Sequence, residues 1–249
     1  MPLLYLRRLT TRERTEAANR HLARYLAFVA GAANAGGLLA VHQYTSHMSG
    51  IVSTVAGDAS VGSFALAADG CAAVASFLTG SFCTTVFIRW GKRQQLHSQY
   101  ALPLLAEAVL LFLFGMTGRV FTGEPVLGTV MLLCFTMGLQ NAMITKISDA
   151  TIRTTHLTGM ITDIGISLGR LALPTPQNPT IPAQELSHRR LLSSLVLSFS
   201  LGGVTGTLGF THLGFLFTLP LSVILITLGV MPAIDDLRRS PPTLPVPHP

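Results

Sequence analysis

Residues 191–234 read LLSSLVLSFSLGGVTGTLGFTHLGFLFTLPLSVILITLGVMPAI, 44 positions without one Asp, Glu, Lys or Arg. A helix crosses the hydrocarbon core of a bilayer with about 20 apolar residues. This stretch therefore holds two crossings, with the turn expected at 209–214. Reading outward from it, residues 125–145 and 25–44 are also free of formal charge. Residues 63–88 carry only Asp69, and residues 100–118 only Glu107. The expected fold is an all-α integral membrane protein with six transmembrane helices. The composition agrees. Of 249 residues 11% are charged, and the mean hydropathy is +0.52, whereas soluble domains carry about 25% charged residues.

The charge that exists is clustered. The formal net charge is +6, but the basic residues flank apolar spans and no groove-reading or base-stacking motif accompanies them, so nucleic acid is not an expected partner. With the N-terminus placed inside, sixteen of the 17 Lys and Arg residues fall on the cytoplasmic side and only Arg119 falls outside, as the positive-inside rule requires. Both termini are then cytoplasmic. Residues 1–24 form a basic leader suited to anionic lipid, and residues 235–249 a Pro-rich tail. A cleavable signal peptide is the other reading of the first segment, since Ala30-Gly31-Ala32 resembles a cleavage site. The same small-residue pattern recurs deep in the chain and belongs to the mature structure.

That recurrence organises the sequence. Gly31-x-x-Asn34-Ala35 is followed by Ser46-His47-Met48-Ser49-Gly50. Later Gly138-x-x-Asn141-Ala142 is followed by Thr155-His156-Leu157-Thr158-Gly159. The step from Asn to His is 13 residues in the first copy and 15 in the second. Two linked motifs repeated in one order indicate two related halves, 25–119 and 125–234. Each half has three spans, an odd number, so the second enters the membrane inverted. After each His comes a short mixed segment (47–62 and 156–169) bearing Asp58 or Asp163. These are too short and polar to span, and are expected to be half-helices or re-entrant pieces. On this topology His47 starts its segment from the outer face and His156 from the cytoplasmic face.

Candidate functional residues follow from the cost of polar groups in hydrocarbon. Asn34 and Asn141 must find partners, either by locking two helices together or by lining a solute path. His47 and His156, flanked by hydroxyls such as Ser49 and Thr158, stand before a Gly that permits a helix break. They are read either as helix caps or as proton-carrying groups of a path. Asp69 and Glu107 within spans, and Asp58 and Asp163 in the short segments, complete the set, with Glu107 the sharpest candidate. Gly202-x-x-x-Gly206 is read as an internal packing face. Cys71, Cys83 and Cys134 are read as packing residues. No phosphate-binding GxxxxGK[ST], HExxH or GxSxG motif occurs, and the histidines lack metal-ligand spacing, so no cofactor or metal is expected.

The stretch from Phe28-Val-Ala-Gly-Ala-Ala-Asn34-Ala to Thr45-Ser-His-Met-Ser-Gly50 resembles the signature of the bacterial YoaK family. These are small multi-pass membrane proteins built on a domain of unknown function. The resemblance covers roughly residues 20–235, and Asn34 stands where an Asp is common. It implies a bacterial inner-membrane location and transfers no catalytic residue.

The architecture points to a small-solute or ion carrier, with proton coupling as one option, acting in the lipid bilayer on an unnamed solute. Two other classes remain open: a membrane-embedded enzyme acting on a lipid or isoprenoid through His47, His156 and the acids, and a non-catalytic scaffold. Homo-oligomerisation is also left open.

Overall fold

A computed structural model describes residues 15–41, 43–96, 98–117, 126–148, 152, 154–173 and 183–238. Within them the chain is helical: α1 (Glu16–Val41), α2 (Met48–Ser60), α3 (Phe64–Arg93), α4 (Ala101–Thr117), α5 (Val126–Ile147), α6 (Leu157–Ala172), α7 (Ala183–Leu213), a 3-10 turn (Gly214–Phe217) and α8 (Thr218–Arg238). Four stretches are long and apolar enough to cross a membrane: Glu16–Leu39, Phe64–Arg93, Leu127–Ile147 and the 56-residue run Ala183–Arg238. Ala101–Met116 is a shorter apolar helix. The expected linker between the halves and the loop at 174–182 lie outside the described residues.

Three boundaries differ from the sequence expectation. Helix α1 begins inside the expected leader, at Glu16. The Thr15 hydroxyl accepts the Ala18 N–H at 3.2 Å, a side-chain cap, and Arg20 pairs with Glu16 one turn away at 3.3 Å. The charged first turns are thus a helical extension of the span, and Arg24 reaches the Ser194 hydroxyl at 2.9 Å. The turn in the long apolar stretch falls at Gly214–Phe217, after the expected 209–214. Gly214 takes φ +59, a conformation that glycine adopts without Cβ strain. Gly209 remains helical and makes room for the Phe217 ring, which a Cβ there would overlap. Helix α8 likewise runs into the expected tail as far as Arg238.

The faces of the helices are inverted relative to a soluble protein. On α3 the buried positions are small except Ile88 (Ala67, Gly70, Ala73, Ser76, Gly80, Thr84 and Gly91), while Leu78, Phe82 and Val86 are exposed. On α7 Gly202 and Gly206 are buried and Leu197, Leu201, Val204 and Leu208 are exposed. Exposed apolar stripes of this length would aggregate in water. Hydrocarbon offers no penalty for them and rewards close packing of small residues inside. The chain is a membrane protein.

Two close helix crossings set the framework. Helix α1 packs along α7, and α3 along α5. At the first crossing a Cβ added to Gly31 would overlap the Phe199 carbonyl, and one added to Gly202 would overlap the Phe28 carbonyl. At the second, Gly80 meets the Phe135 carbonyl in the same way and Gly138 meets that of Phe77. All four sites read Phe-x-x-Gly, and each glycine lets two backbones approach where no side chain fits. Gly206 adds a further approach, to Ala32, so the Gly202/Gly206 face is an internal packing face. Hydroxyls bridge the second crossing: Thr84 Oγ1 donates to the Leu139 carbonyl at 2.9 Å and Ser81 Oγ to that of Gly138 at 3.2 Å. Helix α4 pairs with α8, α2 folds back on α3, α6 folds on α7, and α1 touches α5 at the centre.

Candidate functional site

Each short helix starts where an Asn side chain holds the chain leading into it. The Asn34 Oδ1 accepts three hydrogen bonds: the Thr45 N–H at 3.2 Å, the Ser46 N–H at 3.1 Å and the Ser46 hydroxyl at 2.9 Å. The Asn141 Oδ1 accepts the Thr155 hydroxyl, while its Nδ2 donates to the Met137 carbonyl at 2.8 Å. In both copies the residue immediately before the His is tied back to the preceding long helix. The chain therefore leaves that helix, doubles back along it and restarts as α2 or α6. The amides thus satisfy a broken backbone. In the second copy the long helix and the loop share one Asn.

The two restarts face each other. A cavity of about 590 Å³ is lined by Ser46, His47, Met48 and Ser49 from the first copy and by Thr155, His156, Leu157 and Thr158 from the second. Phe77 and Phe199, each at one of the glycine crossings, complete matching walls, and Asn34, Tyr44 and Gly159 also line it. His47 and His156 occupy the N-cap positions of α2 and α6, yet neither imidazole caps its own helix. The reading of these histidines as side-chain caps does not hold. The His47 ring lies over Gly50, where a Cβ would overlap it, and meets Tyr44 edge-on at 6.2 Å between centroids. Gly159 has open space around it. The first-turn N–H groups of both helices and the Ser49 and Thr158 hydroxyls are donors. Among the described residues the lining contains no Asp, Glu, Lys or Arg.

A family model described as a protein of unknown function, DUF1275, matches residues 22–231, a span that includes both copies of the Asn and His motifs. The chain belongs to this family. The DUF1275 assignment agrees with the resemblance drawn from those motifs. No curated protein and no solved structure matches the chain.

The DUF1275 cavity gathers only part of the expected residues. Asn34, His47, Ser49, His156 and Thr158 line it, whereas Asn141 stands behind Thr155. The two His motifs meet in one space, and each is tied through the residue before the His to an Asn of the preceding long helix. Glu107 is fully buried on α4, away from the cavity, and its Oε1 accepts the Gln140 Nε2–H at 3.0 Å. Asp58 is half-buried near the end of α2, and Asp69 is exposed on α3. Asp163 is exposed and shares a groove of about 320 Å³ with Arg170, Glu185, His188 and Arg189. Sequence reading placed Ser46 and Thr155 in the His motifs without counting them in the site, and it missed Phe77, Phe199 and Tyr44. Phe-x-x-Gly occurs five times in the sequence, at 28–31, 77–80, 112–115, 135–138 and 199–202, and this pattern was the available signal for the two phenylalanines.

Proposed function

We propose that the chain is a carrier for a small anionic solute, built as six membrane spans in two inverted halves of a bacterial inner membrane, with both termini cytoplasmic. The observation that carries this reading is the meeting of two helix N-termini, one from each half, on one donor-lined cavity. A helix start leaves backbone N–H groups without intrahelical acceptors and carries the positive end of the macrodipole. Two such ends across one space favour a carboxylate or another small anion, and the hydroxyls of Ser49 and Thr158 add neutral donors.

The inverted arrangement is supported by exchange: replacing each motif by its copy turns the Gly31–Phe199 and Gly202–Phe28 contacts into Gly138–Phe77 and Gly80–Phe135. Helix α4 counts as a span at 17 residues, about 25 Å at 1.5 Å per residue. The 56-residue run counts as two because it is broken at Gly214–Phe217. Inverted copies of one element give a central site a route to either side.

The test is uptake into proteoliposomes of a labelled panel of small carboxylates and inorganic anions, with monovalent cations as the contrasting set. Saturable anion uptake, reduced by Ser49→Val with Thr158→Val at unchanged thermal stability, is expected. Uptake confined to cations, or no uptake of any panel member, overturns the reading.

A further inference from the structure

The Glu107 carboxyl is fully buried, and among the described residues it forms no ion pair. One oxygen, Oε1, accepts the Gln140 amide N–H at 3.0 Å. The other, Oε2, has no partner, and neither does the Oε1 of Gln140. A carboxylic acid facing a primary amide forms a closed pair when the amide N–H donates to one acid oxygen and the acid O–H donates to the amide oxygen. The two orphaned atoms are the two that a proton on Glu107 would join. A carboxylate here would instead be a buried charge with no counter-ion, and an unpaired acceptor would remain beside it.

Among the described residues the neighbouring elements supply no alternative partner. On α4 Glu107 is the only ionisable residue. The neighbouring helix α5 offers Gln140, with Lys146 near its C-terminal end. On α8, Asp235, Asp236 and Arg238 lie in the last turns, and the Asp236 carboxylate accepts the Ser98 N–H at 2.7 Å, ahead of the start of α4. On α3 the basic Arg89, Lys92 and Arg93 surround Gly91, which packs on Gln99 and Leu102, more than a helical turn before Glu107. The 3-10 turn carries no ionisable group.

We infer that Glu107 and Gln140 form a binding site for one exchangeable proton, and that its occupancy sets the position of the α6 start in the cavity. Gln140 is followed directly by Asn141, which holds Thr155 and hence the N-terminus of α6. When the O–H bond at Oε2 breaks, its electron pair stays on the carboxylate and the proton passes to water. The acid–amide pair then opens, Gln140 turns, and the shift is delivered to Asn141 on the same helical turn. The proton site itself stands apart from the carrier reading, and only its use in coupling rests on that reading.

The experiment uses the full chain in liposomes, without any solute. Infrared spectra at neutral pH should show a protonated carboxyl C=O band that disappears in Glu107→Gln and shifts in Gln140→Leu. Glu107→Gln keeps an amide–amide pair and should fold normally. No band difference between wild type and Glu107→Gln overturns the proton site. So does loss of the band when choline is replaced by sodium, which would mark a metal-cation site. For the coupling, Thr158→Cys is placed in a background lacking Cys71, Cys83 and Cys134. Its labelling rate, relative to the same protein with Glu107→Gln, should change several-fold between neutral and alkaline pH. A ratio independent of pH overturns the link to the cavity. Neither readout depends on transport, so failure of the carrier reading is seen separately.

Discussion

Gly202 and Gly203 are adjacent on α7 but meet different surroundings, and alanine at each position separates close packing from helix propensity. A Cβ at Gly202 would overlap the Phe28 carbonyl oxygen and press on its backbone carbon. At Gly203 the nearest atom in reach is the Gly31 carbonyl oxygen at 4.0 Å. Both substitutions gain helix propensity of about 1 kcal/mol. Only Gly202→Ala adds an overpacking cost of about 1–3 kcal/mol. That cost should lie near 3 kcal/mol because the obstructing atoms are backbone and cannot rotate away. For a chain of this size each kcal/mol moves Tm by about 2–4 °C. The two variants should therefore differ by about 6–12 °C, with Gly203→Ala at or above wild type. Thermal unfolding of the detergent-purified chain, followed by tryptophan fluorescence and monodispersity, measures the gap. Gly31→Ala, Gly80→Ala and Gly138→Ala should fall with Gly202→Ala. Equal stability of Gly202→Ala and Gly203→Ala would refute the argument that backbone contact at these crossings holds the four helices together.

The two Asn residues should respond oppositely to the same isostere. Among the described residues Asn34 uses only its Oδ1, as an acceptor, so Asn34→Asp should retain stability. Asn141 also donates to the Met137 carbonyl, so Asn141→Asp should lose about 1–3 kcal/mol, read as a lower Tm in the same unfolding assay. Sidedness can be read at the far ends of the short helices, because their starts share one cavity. In a background without native cysteines, Val61→Cys should react with an impermeant thiol reagent added to intact cells, whereas Leu173→Cys should react only after the membrane is opened. Both residues are exposed, and equal reaction from outside would mean parallel halves.

The apolar helices were legible in the sequence because hydrocarbon selects for one property, absence of charge over about 20 residues, which needs no knowledge of neighbours. The Asn and His motifs were legible for a related reason: the same local break in a helix needs the same local chemistry, so its two solutions look alike. The family followed from those residues. What tertiary structure alone decided was where the motifs go. Asn34 was a polar group in need of partners, but the choice between a neighbouring helix and its own returning loop depends on how the chain folds back after Val41. That fold-back brings His47 and His156 to one cavity, which the spacing of the motifs does not state. Nor did charge patterning reveal that Glu107 pairs with Gln140 outside that cavity, since two residues 33 apart on different helices share no spacing rule. Hydropathy is a property of a segment and survives in one dimension. The partner of a buried polar group is set by how helices cross, and glycine at four Phe-x-x-Gly sites fixes those crossings only once all four are seen against one another.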